Sequence, residues 1–177
     1  MGGSHDTRKP ARLRTQALGE AMNKTVLITG AAGLLGAHFS RYLLDKGYTV
    51  IGIDDLSGGY KDFLPSNKNF IFYERVLGEA VVDDIFEKHC IDTVFHFAAY
   101  AAEGLSPFIR CFNYQNNVIA SAHIVNACIN HDCKLIFTSS MAVYGKHPPP
   151  FTEDLDPVPI DPYGIAKRAV EMDIEQG

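Results

Sequence analysis

From residue 24 onward the apolar positions change rhythm repeatedly along the chain. Five short runs, 25–29, 48–53, 70–73, 93–97 and 135–138, are rich in β-branched and aromatic residues, with apolar side chains at neighbouring positions. Four longer stretches, 34–46, 78–89, 113–131 and 162–175, carry apolar residues three or four apart with few internal breakers. The short runs read as strands and the long stretches as helices. A strand apolar on both sides needs cover on both faces, and helices alternating with such strands provide it by crossing over a parallel sheet. The pattern predicts an α/β fold with a doubly wound, Rossmann-like parallel sheet.

Composition narrows the function classes. The chain has 177 residues, enough for one domain that buries a core without disulfide or metal staples. With 46% apolar and 21% charged residues it is neither disordered throughout nor collagen-like. A net charge of −5 argues against a chain-wide basic footprint, so no nucleic-acid partner is expected. Arg8, Lys9, Arg12 and Arg14 crowd into residues 1–22, a polar stretch that ends at a second methionine, Met22. That stretch reads as an extension outside the fold, disordered or a cloning remnant, and 23–177 as the domain. No apolar run approaches the ~18–20 residues that cross a bilayer, and no membrane partner is expected. A soluble, cytoplasmic protein is implied. Cys90, Cys111, Cys128 and Cys133 form no C-x-x-C pair and read as buried thiols of a reducing compartment. The seven histidines show no paired metal spacing, so no metal is expected, and His96 reads as a satisfied core residue. Glu153, Asp154 and Asp156 read as a solvated acidic turn.

Two constellations carry chemistry. The first strand runs directly into Gly30-Ala31-Ala32-Gly33-Leu34-Leu35-Gly36, and a helix starts inside that motif. Glycines there allow a tight turn, close approach of backbone to a pyrophosphate, and tight helix–strand packing. The helix start offers N–H groups, those of Leu34 and Leu35 among them, to an anion. Asp54 ends the next strand at the offset where a carboxylate takes the adenosine ribose hydroxyls, which points to a dinucleotide and favours NAD over NADP. Asp55 caps or solvates the turn Leu56-Ser57-Gly58-Gly59. The second constellation is Tyr163 and Lys167, four apart near a helix start, with the strand-end hydroxyls Ser139 and Ser140 upstream. A cation beside a phenol favours the phenolate and so equips it for proton transfer.

These motifs, in this order, resemble the extended short-chain dehydrogenase/reductase family, in particular its NAD-dependent nucleotide-sugar epimerases and dehydratases of the UDP-glucose 4-epimerase kind. The resemblance rests on residues 29–36, Asp54-Asp55-Leu56-Ser57, His96-Phe97-Ala98-Ala99, Asn116-Asn117-Val118, Ser139-Ser140 with Val143-Tyr144-Gly145, and Pro162-Tyr163-Gly164 with Lys167. It implies that Tyr163 is the acid/base on a sugar hydroxyl while hydride passes to the nicotinamide. Lys167 then holds the nicotinamide ribose and lowers the Tyr163 pKa, and Ser140, rather than Ser139, bonds the reacting oxygen. Phe97, Ala98 and Ala99 line the cofactor, and Asn117 sits behind it, unless these four serve core packing alone. Family dehydratases carry an Asp-Glu pair where Met141 and Ala142 stand here, so epimerase or simple oxidoreductase chemistry is implied.

Some positions depart from the family. Arg75, beside Val76, replaces an acidic residue near the adenine, which keeps NADP open; Ala101 replaces a lysine common in UDP-galactose epimerases, which leaves the sugar open. Family members continue past the tyrosine helix with a nucleotide-sugar-binding segment, whereas this chain ends at Gly177. The resemblance therefore implies the cofactor-binding part of an epimerase, or else a dinucleotide-binding module without turnover, or a related dehydratase or reductase. A homodimer through the helices at 113–131 and 162–175 is a further expectation from the family.

Overall fold

The computed structural model describes residues 24–177, so the expected extension at 1–22 lies outside the described residues. Five strands form one sheet in the order β3-β2-β1-β4-β5. They are β1 (Thr25–Thr29), β2 (Thr49–Asp54), β3 (Phe70–Glu74), β4 (Thr93–His96) and β5 (Lys134–Phe137). Every neighbouring pair is parallel, with Leu27 beside Ile51 on one flank and Val94 on the other. The predicted doubly wound sheet is therefore present, and the order of its strands reverses between β1 and β4, where such folds open a crevice.

Side chains along each strand alternate between two cores. Leu27, Ile51, Ile53 and Val94 pack with Val82, Ile85 and Phe86 of α2 (Glu79–Lys88) and Ile124 and Ala127 of α4 (Ala120–Asn130). Val26, Ile28 and Val50 point the other way, onto Leu43 and Leu44 of α1 (Leu34–Asp45). Each fully buried Ile, Leu or Val contributes roughly 1.5–3 kcal/mol relative to exposure, so the central strands dominate the stability.

The stretch expected as one helix over 113–131 is three pieces. Helix α3 (Arg110–Tyr114) runs into a π-helical turn, Gln115–Ile119, and then into α4. The wide turn carries Asn117, whose side chain holds the backbone of Tyr100, a tertiary demand that periodicity does not display. Short 3-10 turns at Lys61–Phe63, Glu103–Phe108 and Met141–Tyr144 are likewise absent from the hydrophobic pattern. The final helix, α5 (Pro162–Gln176), packs against α3, α4 and two of these turns. Of the cysteines expected to be buried, Cys128 is; Cys133 is half-buried, and Cys90 and Cys111 lie at the surface.

Candidate active site

Because all strands are parallel, the residues that follow β1, β2, β4 and β5 gather at one edge of the sheet. The turn after β1 is built on two steric requirements. Gly30 has φ +67° and a Cβ there would lie 2.8 Å from the Ala98 amide nitrogen; a Cβ at Gly36 would lie 2.1 Å from the Gly30 carbonyl oxygen. Both glycines are needed by the protein itself. Gly33 is different, since its Cβ would meet only the Gly30 oxygen, at 3.3 Å. Gly33 is also the N-cap of α1 and brings no side chain to the first-turn amides. A bare helix start with room above it fits a pyrophosphate. Leu34 and Leu35 offer backbone there, their side chains being 70% and 60% exposed.

A groove leads from this turn across the ends of β2, β3 and β4. Its lining includes Gly30, Gly33, Asp54, Asp55, Ser57, Arg75, Val76 and the run Phe97-Ala98-Ala99, which unites most of the cofactor positions expected from sequence. The Asp54 carboxylate is held in place by the Ala32 amide at 2.9 Å on one oxygen and the Leu56 amide at 2.8 Å on the other. That leaves lone pairs on a fixed carboxylate, the acceptor a ribose diol needs. Asp55 accepts the Ser57 amide at 2.9 Å and shapes the turn as well as lining the groove. Leu34, Leu35, Gly36, Leu56 and Asn117 do not line it. Gln115 and Asn116 do, and sequence reasoning passes over both as cofactor contacts. Their only signal is membership of the stretch that contains Asn117.

Asn117 stands behind the groove wall. It is buried, accepts the Tyr100 amide at 2.7 Å, and donates to the Tyr100 carbonyl at 3.1 Å and to Asn113 Oδ1 at 2.8 Å. Asn113 in turn donates to the carbonyl of Pro162, the residue before Tyr163, at 2.9 Å. A second chain starts at the Ala98 amide, which donates to Thr29 Oγ1 at 3.0 Å. Thr29 Oγ1 lies 2.6 Å from His96 Nδ1, and His96 Nε2 lies 2.9 Å from Ser121 Oγ. Ser121 gives its single proton to the Asn117 carbonyl at 2.7 Å, so His96 must donate from Nε2 and accept at Nδ1. Burial pushes the His96 pKa down to about 3, with the Lys167 charge adding to it, so the ring is neutral. His96 is thus the satisfied core residue expected.

Ser140, Tyr163 and Lys167 form a separate cluster at the same edge, on the β5 side, and do not line the groove. Asp161 caps α5 by accepting the Gly164 amide at 2.9 Å, and Pro162 opens the helix at its first position. Tyr163 and Lys167 are 8% and 3% exposed. Lys167 Nζ donates to the Thr138 carbonyl at 2.8 Å and lies 4.7 Å from the Phe137 ring centre and 6.0 Å from that of Tyr163. Burial pushes its pKa down to about 8, opposed by the charge of Glu171.

The Tyr163 pKa is raised by burial, with Glu103 and Asp161 adding to the rise and a hydrogen bond from Ser140 opposing it. The sequence leads one to expect Lys167 to pull the phenol down. It does not in this arrangement: the ammonium donates to the Thr138 carbonyl, and desolvation of the phenolate outweighs the Ser140 hydrogen bond. Of the dehydratase positions, Met141 is exposed and Ala142 is buried.

Residues 26–176 match the model of the NAD dependent epimerase/dehydratase family. The chain is 36% identical over 148 residues to the UDP-glucose 4-epimerase of Halalkalibacterium halodurans, covering 82% of this chain and 44% of that protein. It is 35% identical over 155 residues to the UDP-glucose 4-epimerase of Azospirillum brasilense, covering 86% and 44%. The crystal structure of Thermotoga maritima UDP-glucose 4-epimerase with UDP-glucose superposes with a TM-score of 0.81 at 36% identity, over 86% of this chain and 50% of that one. That of the Brucella ovis enzyme in complex with NAD gives 0.80 at 32% identity, over 86% and 47%. The chain spans about half the length of these relatives. With the glycine turn, the fixed carboxylate at the end of β2 and the serine–tyrosine–lysine cluster all in place on a matching sheet, the chain belongs to the NAD dependent epimerase/dehydratase family.

Proposed function

We propose that residues 23–177 are the NAD-binding and proton-transferring part of a UDP-sugar 4-epimerase. The observation that carries this reading is that one sheet edge bears both a groove lined by the glycine turn and Asp54 and, on its β5 side, the Ser140–Tyr163–Lys167 cluster. The groove residues fit the cofactor: amides at the start of α1 for the pyrophosphate, Asp54 for the adenosine ribose, and small side chains at Ala98 and Ala99 for close approach. Bound NAD would supply the acceptor and donor of hydride. In its phenolate form Tyr163 takes the proton of the sugar hydroxyl as that carbon is oxidised, and as the phenol it returns it when hydride comes back to the opposite face. Ser140 donates to the reacting oxygen, and Lys167, charged below about pH 8, holds the nicotinamide ribose. The proton that the Tyr163 phenolate takes up is the one its phenol gives back, so the cycle balances without an outside acid.

Arg75, on the groove lining, can meet the adenosine end, so NADP is the competitor to include in the binding test. The placement of Tyr163 and Lys167 outside the groove lining favours a second reading, a dinucleotide-binding module without turnover. We also assign a cytoplasmic location, in keeping with an acidic chain in whose described residues no helix is long and apolar enough to cross a membrane. Self-association through α5 is supported by exposed Ile165 and Met172, seven residues apart on one helix face.

The test is calorimetric titration of the chain with NAD and NADP, followed by incubation with UDP-glucose and UDP-galactose and resolution of the products. Gly33→Asp is expected to abolish NAD binding, since it puts a side chain and a negative charge on the helix start, and amide spectra check that the fold absorbs the 3.3 Å approach of its Cβ to the Gly30 oxygen. Interconversion of the sugars supports the epimerase, tight NAD without interconversion supports the module, and NAD affinity indifferent to Gly33→Asp overturns both.

A further inference from the structure

Three residues of α5, each one turn apart, meet three consecutive residues after β5. Tyr163 meets Ser140, Lys167 donates to the Thr138 carbonyl at 2.8 Å, and Glu171 accepts the Ser139 hydroxyl. Residues at i, i+4 and i+8 share a helix face, so the three contacts lie in a row. The first two involve the cluster already described, and the third joins residues with no part in it.

The geometry points to Glu171 as a positioning residue, whose bond to Ser139 clamps the loop after β5 onto α5 so that Ser140 stays opposite Tyr163. The inference rests on the reading of Ser140, Tyr163 and Lys167 as the proton-transferring cluster. Arg168 braces the other Glu171 oxygen at 3.2 Å and reaches Glu175 at 3.2 Å. The Arg168 and Glu171 side chains are 27% and 23% exposed, so water screens this pair less than it does a fully solvated one. Holding Glu171 in one rotamer lowers the entropy lost when it accepts from Ser139.

Glu171 has a second effect, through its charge. The groups facing Lys167 are the Phe137 ring from β5 and the Thr138 carbonyl just after it, neutral His96 from β4, and Tyr163 and Glu171 on α5 itself. Among them Glu171 is the one anion at neutral pH, and it works against the burial that strips Lys167 of its proton. Clamp and charge are separable, because an amide oxygen can still accept from Ser139 while carrying no charge.

The experiment uses the full chain with 13C-labelled lysine and tyrosine, and follows the Lys167 and Tyr163 midpoints by NMR titration in wild type, Glu171→Gln and Glu171→Leu. Glu171→Gln is expected to lower the Lys167 midpoint by roughly half a unit or more and leave Tyr163 in place. Glu171→Leu is expected to lower Lys167 similarly and to raise the Tyr163 midpoint as the Ser140 bond loosens. An unmoved Tyr163 in Glu171→Leu, with amide spectra showing the chain folded, overturns the clamp; an unmoved Lys167 in Glu171→Gln overturns the charge effect. The midpoints are read without cofactor, so failure of wild type to bind NAD would count against the epimerase reading while the role of Glu171 is still decided by the titrations.

Discussion

Two glycines six residues apart, Gly30 and Gly36, are demanded by contacts inside the protein, and the one between them, Gly33, is not. The motif reads as one unit in sequence, yet it divides into a pair that cannot carry a side chain and a residue where a Cβ would meet a single backbone oxygen at 3.3 Å. The basic residue of the Tyr163–Lys167 pair shows a similar division. Lys167 is legible in the sequence as the partner of Tyr163, but its hydrogen bond to Thr138 is not, because that partner lies across a strand end 29 residues away. Its lowered pKa of about 8 sets a testable pH dependence. Below pH 8 the ammonium keeps the charge that the proposed hold on the nicotinamide ribose requires, and above it the charge is lost. NAD affinity is therefore expected to fall as pH rises through about 8, measured by calorimetry, and Lys167→Met is expected to bind NAD more weakly and without that step.

At the scale of elements, hydrophobic rhythm places every strand and helix of the core to within a residue or two, since those segments are held by the apolar faces that rhythm encodes. It fails at the helix over 113–131, whose π-helical turn answers to Asn117 and its grip on Tyr100. It is also silent on the relay of Thr29, His96, Ser121 and Asn117, which ties β1, β4 and α4 together with buried, directional hydrogen bonds. The relay needs a neutral imidazole, which the buried site enforces: His96 titrates at about 3 in the fold against an ordinary value of 6.5. The unfolded chain therefore takes up this proton first. The resulting stability is complete above pH 6.5 and drains as pH falls toward 3, at up to roughly 1.4 kcal/mol per pH unit. Urea unfolding between pH 6.5 and 5, above most carboxylate titrations, is expected to show this slope in wild type and a flatter one in His96→Asn.

For the whole molecule, the parallel sheet collects residues from widely separated parts of the chain at one edge, and α5 closes that edge while keeping Ile165 and Met172 exposed. If α5 carries the dimer contact, sedimentation velocity should find a dimer that becomes monomeric on Met172→Lys, with NAD binding retained because neither side chain touches the groove. The amino-acid order alone determined the sheet, the glycine turn after β1, the carboxylate at Asp54 and the serine, tyrosine and lysine of the cluster, because each follows from local spacing and residue chemistry. Tertiary structure decided which glycine is bare, that Gln115 and Asn116 rather than Asn117 face the groove, and that burial lifts the Tyr163 pKa against the expected pull of Lys167. Desolvation and hydrogen-bond partnership depend on what the folded chain places around a group, and the neighbours responsible here are remote in sequence.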